Sequence, residues 1–102
     1  MVMAVERISK AFSDQNRIKI VKFLSEGQKN VNQVADKLNV EENLASHHLR
    51  VLASLGFLRN EKKGREVFYK INETKFISLI RTLKKNATFK EILVRALEDG
   101  DE

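Results

Sequence analysis

The 102-residue chain has no cysteine. This excludes disulfides, thiolate metal sites and thiol-based redox sensing. It has no proline either, which suits a mostly helical chain joined by short turns. No apolar run approaches the roughly 20 residues that a membrane-spanning helix needs. The first ten residues already include Glu6, Arg7 and Lys10, so no signal peptide is legible. A cytoplasmic protein is expected. Catalytic equipment is equally scarce. The histidines form one adjacent pair, there is no glycine-rich phosphate loop, and no histidine, carboxylate and nucleophile stand at a plausible spacing. The chain is therefore not expected to be an enzyme.

Apolar residues make up 42% and charged residues 32% of the chain, the balance of one small folded domain. The net charge is +5, and the pI is near 9.6. Four of the acidic residues, Glu98, Asp99, Asp101 and Glu102, fall in the last five positions, which leaves +9 on residues 1–97. We assign 1–97 to a single domain and 98–102 to an acidic, disordered tail. A basic body suits a polyanionic partner.

In chain order, Val5, Ile8 and Phe12 recur at i, i+3 and i+7, which predicts a short amphipathic helix over Val2–Phe12. Ser13 or Asp14 can cap the next helix, Gln15–Glu26. Its Ile18, Ile20, Val21, Phe23 and Leu24 surround much of its girth, as in a central core helix. Gly27 ends it. A third helix carries Val34, Ala35 and Leu38 and is capped by Asn30 or Asn32. Asn39 and Val40 form a tight turn, and a fourth helix starts near Glu42.

That fourth helix organises the rest. Ala45, Leu49 and Leu52 lie on one face. Asn43, Ser46, His47 and Arg50, at i, i+3, i+4 and i+7, form a separate stripe. An amide, a hydroxyl, an imidazole and a guanidinium can bond base edges and phosphates. Two helices joined by a three- or four-residue turn are a helix-turn-helix signal, whose second helix enters the major groove. Glu42 either accepts from a cytosine amino group or favours the positive end of the helix dipole, and Glu41 does the latter. Leu44 either meets a thymine methyl or packs inward. Neighbouring helical residues point about 100° apart, so His47 and His48 do not chelate one ion. His47 is expected to face DNA, where its protonation would strengthen phosphate contact. His48 is expected to be partly buried against the first helix of the motif.

After Gly56 the period changes. Val67, Tyr69 and Ile71 alternate with Phe68 and Lys70, as in a strand. A hairpin with Lys62, Lys63 and Arg65 at its tip forms a cationic wing able to reach phosphates. A helix from Asn72 or Thr74 carries Phe76, Ile77, Leu79, Ile80 and Leu83. Thr88 and Glu91 then suggest a capping box before a last helix with Phe89, Ile92, Leu93 and Ala96. The first and last two helices hold more apolar surface than one small domain covers. A homodimer through these terminal helices would bury it and present two half-sites about 34–36 Å apart. The predicted fold is α+β, mainly α: a winged helix-turn-helix with a two-stranded hairpin wing and terminal dimerisation helices.

The segments FSDQNRIKIVKFLSEG and VNQVADKLNVEENLASHHLRVLASLGFLRNEKKGREVFYKI resemble the ArsR family of winged-helix repressors over about residues 5–85. The resemblance implies a homodimeric transcriptional regulator that binds double-stranded DNA and is released by a metal ion or another signal. It does not extend to the family's metal sites. Cysteines in the first helix of the motif would fall on Val31–Ala35. Carboxylate and histidine pairs after the wing would fall near Glu73, Lys75, Asn86 and Phe89. Lysine and phenylalanine there cannot hold zinc, so neither metal nor cofactor is expected. The competing function is a winged-helix module that binds other proteins without specific DNA binding.

Overall fold

The structure, a computed structural model, describes residues 2–85 together with Glu91, Val94, Arg95 and Glu98. The expected last helix, as read from Phe89, Ile92, Leu93 and Ala96, lies outside the described residues, as does all of the acidic tail except Glu98.

Helix α1 (Val2–Ala11) buries Ile8 and Ala11. Asp14 then caps α2 (Gln15–Leu24), its carboxylate accepting from the Asn16 N–H at 2.7 Å. Of the two candidates, aspartate takes the cap. Helix α2 buries Ile18, Ile20, Val21 and Leu24, the central role its composition predicts. It ends at Leu24, two residues before the expected boundary, and the chain turns at Gly27 with φ of 135°.

The next element, β1 (Lys29–Asn30), is absent from the sequence prediction. Two residues are too few to show a period. Asn30 also begins α3 (Val31–Leu38) through a reciprocal box. Its side chain accepts from the Gln33 N–H, and the Gln33 side chain accepts from the Asn30 N–H, both at 2.8 Å. Asn39 ends α3 in the left-handed region, at φ 56° and ψ 51°. Asparagine is among the residues that tolerate this conformation. Three residues after α3, helix α4 (Glu42–Ser54) starts, so the two make the anticipated helix-turn-helix.

Strands β2 (Leu58–Lys63) and β3 (Glu66–Ile71) form the wing. Gly64 and Arg65 link them, with Lys63 opposite Glu66. Gly64 has φ of 63°, while Arg65 keeps a negative φ. A positive angle at the first central position alone matches the II′ hairpin turn, where glycine is preferred. Strand β1 pairs antiparallel with β3, so the expected two-stranded ribbon is part of a three-stranded sheet ordered β1-β3-β2.

Helix α5 (Glu73–Lys85) follows directly. Asn72 joins it to the root of the wing: its N–H donates to the Phe57 carbonyl and its side-chain amide to the Gly56 carbonyl, both at 2.9 Å. The core sits where α2, α3, α4 and the sheet meet. Ile20, Val34, Leu49, Leu52 and Phe57 are its largest fully buried side chains. Each contributes on the order of 1.5–3 kcal/mol by burial. Phe12, Phe57 and Phe76 form an aromatic cluster, with ring centroids 5.4–6.5 Å apart, that seals the core beneath α1 and α5.

Candidate nucleic-acid interface

Helix α4 is anchored on one side. Ala45, Leu49 and Leu52 have no exposed surface, and α3 and α2 pack against the helix. Helical geometry then turns the opposite side outward. Asn43, His47 and Arg50 are exposed there, and Ser46 is half-buried on the flank. Glu42 is exposed in the first turn. Glu41 occupies the cap position but makes no capping hydrogen bond through its side chain. Leu44 points outward at 42% exposure, which settles the alternative left open for it. The outward side of α4 therefore carries donors and acceptors around one apolar group.

The wing extends this surface, and its register separates residues that look equivalent in sequence. Side chains alternate across a strand. Leu58, Asn60 and Lys62 thus share a face with their partners Ile71, Tyr69 and Val67. Leu58 and Tyr69 are buried, so this face turns toward the body of the protein. Burial holds the Tyr69 phenol above its ordinary pKa, and the Arg50 guanidinium, near enough to act on it, pulls the other way. Lys63 belongs to the other face. Its ammonium is 3.6 Å from a Glu61 carboxylate oxygen and 5.2 Å from the Phe68 ring centroid. Lys62 has no ion-pair or ring partner among the described residues. Arg65 stands exposed in the turn.

His48 corrects an expectation. It is more fully buried than anticipated, at 5% exposure, and its hydrogen-bonding partner is on α2 rather than α3. An Arg17 Nη lies 3.3 Å from His48 Nδ1. The same guanidinium donates to the carbonyls of Ala11 (3.3 Å) and Lys10 (3.0 Å) and to Ser13 Oγ (3.2 Å). Arg17 thus closes the C-terminal end of α1, where a cation complements the helix dipole, and touches α4. No periodicity reports a pair 31 positions apart. Asn60, also missed, could have been found by counting alternate residues from Leu58. Among the described residues no three carboxylate or histidine side chains converge as a metal site would require. Among them, too, no helix is long and apolar enough to cross a membrane.

Residues 14–60 match the profile of bacterial regulatory proteins of the arsR family. The chain is 40% identical over 72 residues to a cadmium resistance transcriptional regulatory protein CadC homolog from Staphylococcus aureus, covering 70% of this chain and 60% of that protein. It therefore spans less than two thirds of that regulator's length. It is 30% identical over 70 residues to the transcriptional repressor SdpR of Bacillus subtilis, covering 69% of this chain and 78% of the repressor. Its fold is that of a homodimeric winged helix-turn-helix DNA-binding domain from Mycobacterium bovis, solved by NMR. That comparison has a TM-score of 0.65 at 24% identity and covers 80% of this chain and 79% of the other.

Proposed function

Since the chain belongs to the arsR family of bacterial regulatory proteins, a family of DNA-binding transcriptional regulators and not of enzymes, we propose that it is a homodimeric repressor of the cytoplasm. It inserts α4 into the major groove of a palindromic operator and lays its wing on the DNA backbone. One observation carries this reading: Asn43, Ser46, His47 and Arg50 lie along the outward side of α4 while the opposite side is sealed in the core. Arg50 and Asn43 suit bidentate contacts to guanine and adenine edges, and Glu42 suits a cytosine amino group. Ser46 and His47 bond neighbouring edges or phosphates. Lys62, Lys63 and Arg65 neutralise phosphates beside the groove. Dimerisation through α1 and the C-terminal helices is supported by exposed apolar side chains near the chain's end, Ile77 at 51% and Val94 at 44% exposure. The homodimeric Mycobacterium bovis domain supports a dimer as such.

The test is selection of bound duplexes from random DNA, followed by titration of the enriched site at several salt concentrations. Enrichment of a palindrome, with affinity falling by orders of magnitude between about 50 and 200 mM salt, supports the reading. Arg50→Ala should cost about 1–3 kcal/mol on the enriched site and much less on random duplex. Failure to enrich any sequence, with binding insensitive to salt, would favour a protein-interaction module instead.

A further inference from the structure

We propose that Arg17 and His48 are positioning residues for operator recognition, and that their contact is a proton-operated link that forms only with His48 neutral. This rests on the reading of α4 as the recognition helix. The geometry decides the protonation state. A guanidinium has donors and no acceptor. At 3.3 Å from Arg17 Nη, His48 Nδ1 must therefore accept, and the ring proton sits on Nε2. A proton added to Nδ1 would set one N–H against another and one cation against another.

Neither partner has an easy retreat. His48 is buried on the side of α4 that holds Ala45, Leu49 and Leu52 in the core. Arg17 is held by the Lys10 and Ala11 carbonyls and by Ser13 Oγ, which itself donates to the Lys10 carbonyl at 3.1 Å. Relief comes from displacing α4 against the α1–α2 corner. His47 and Arg50 ride on the same helix, and a small misplacement of a base-reading side chain forfeits its hydrogen bond.

Three charged or titratable groups face His48. Asp14, which caps α2, favours the cation. Arg17 on α2 and His47 on α4 oppose it. Burial opposes it most, so the His48 pKa lies below the ordinary 6.5. The link is intact at neutral pH and opens in mild acid. His47 is a second imidazole, exposed on the outward side of the same helix. The two imidazoles must be separated experimentally.

The experiment follows binding of the full chain to its enriched operator and to a random duplex of equal length, by fluorescence anisotropy at constant ionic strength. It runs from about pH 7.5 to about pH 5.5, the window of histidine titration. The background is His47→Gln, which lowers affinity throughout but removes the second titrating ring. Operator affinity is expected to fall by about tenfold or more over this range, with random-duplex affinity changing by less than about threefold. Adding His48→Asn, whose Oδ1 accepts where Nδ1 did but binds no proton, should flatten the operator profile. Adding Arg17→Gln instead should make it shallower, because the opposing guanidinium is gone while the ring stays buried, and should reduce affinity at about pH 7.5. Circular dichroism checks that each variant is folded. If one is not, the other carries the test. An operator profile already flat in the His47→Gln background overturns the proposal, as does a slope that survives in folded His48→Asn or is undiminished in folded Arg17→Gln. A chain that never distinguishes operator from random duplex overturns the underlying reading as well. An operator that binds selectively with no pH response overturns only the link.

Discussion

Lysines 62 and 63 are neighbours in sequence, but the sheet register gives them different surroundings. Lys62 lies on the body-facing side of the wing with Val67, while Lys63 is drawn to Glu61 and Phe68 on the other side. On the proposed reading, replacing Lys62 by alanine removes one phosphate partner per wing and two per dimer. At about 0.9 in log–log slope per phosphate, the salt dependence should flatten by about 1.8. Referred to about 1 M salt, the affinity lost at about 0.15 M is roughly thirtyfold, on the order of 2 kcal/mol. Lys63→Ala removes a charge already shared with Glu61. Its slope change should be less than about half as large. The assay is an anisotropy titration in stepped potassium chloride on both operator and random duplex. Phosphate contacts carry no sequence information, so Lys62→Ala should weaken both to a similar extent. Equal slope changes for the two variants would refute the division made by the register. A loss confined to the operator would mean that Lys62 reads bases.

Three further outcomes concern the scaffold. Asn39 holds the left-handed residue between α3 and α4. Asn39→Ala should lower stability by about 1–2 kcal/mol, and Asn39→Gly should leave it nearly unchanged, as read from urea midpoints. Phe57 is fully buried between Phe12 and Phe76. Phe57→Ala should cost about 3–5 kcal/mol and lower the melting temperature sharply, measured at fixed protein concentration because a dimer's melting temperature depends on it. Stability should also depend on His48. Its native pKa lies below its unfolded value, so the unfolded chain takes up the proton first as pH falls. The stabilisation is complete above about pH 6.5, declines below it and levels off below the depressed native value. Urea midpoints of the His48→Asn variant, compared with the parent across this range, should lack that decline. A parent midpoint that rises on acidification relative to the variant would contradict the assignment.

What was legible in the sequence follows from short-range periodicity. Ala45, Leu49 and Leu52 at helical spacing, with Asn43, His47 and Arg50 opposite, fixed both the buried and the outward side of α4 without any tertiary information. That is possible because a single helix has only one way to bury such a stripe. Alternation through Val67, Tyr69 and Ile71 marked a wing strand for the same reason. Strand β1 was invisible because two residues carry no period, and its existence depends on Tyr69 and Phe68 arriving alongside. The choice of Asp14 over Ser13, and of Asn30 over Asn32, depended on backbone geometry at the cap. The sequence by itself determined helices α1 to α5, the wing and the hydrogen-bonding stripe of α4, since each depends on residues within a few positions of one another. Only the tertiary structure decided that Arg17 would reach His48, that Lys62 and Lys63 would part, and that Leu44 would remain in solvent, because each of these depends on how separate elements pack.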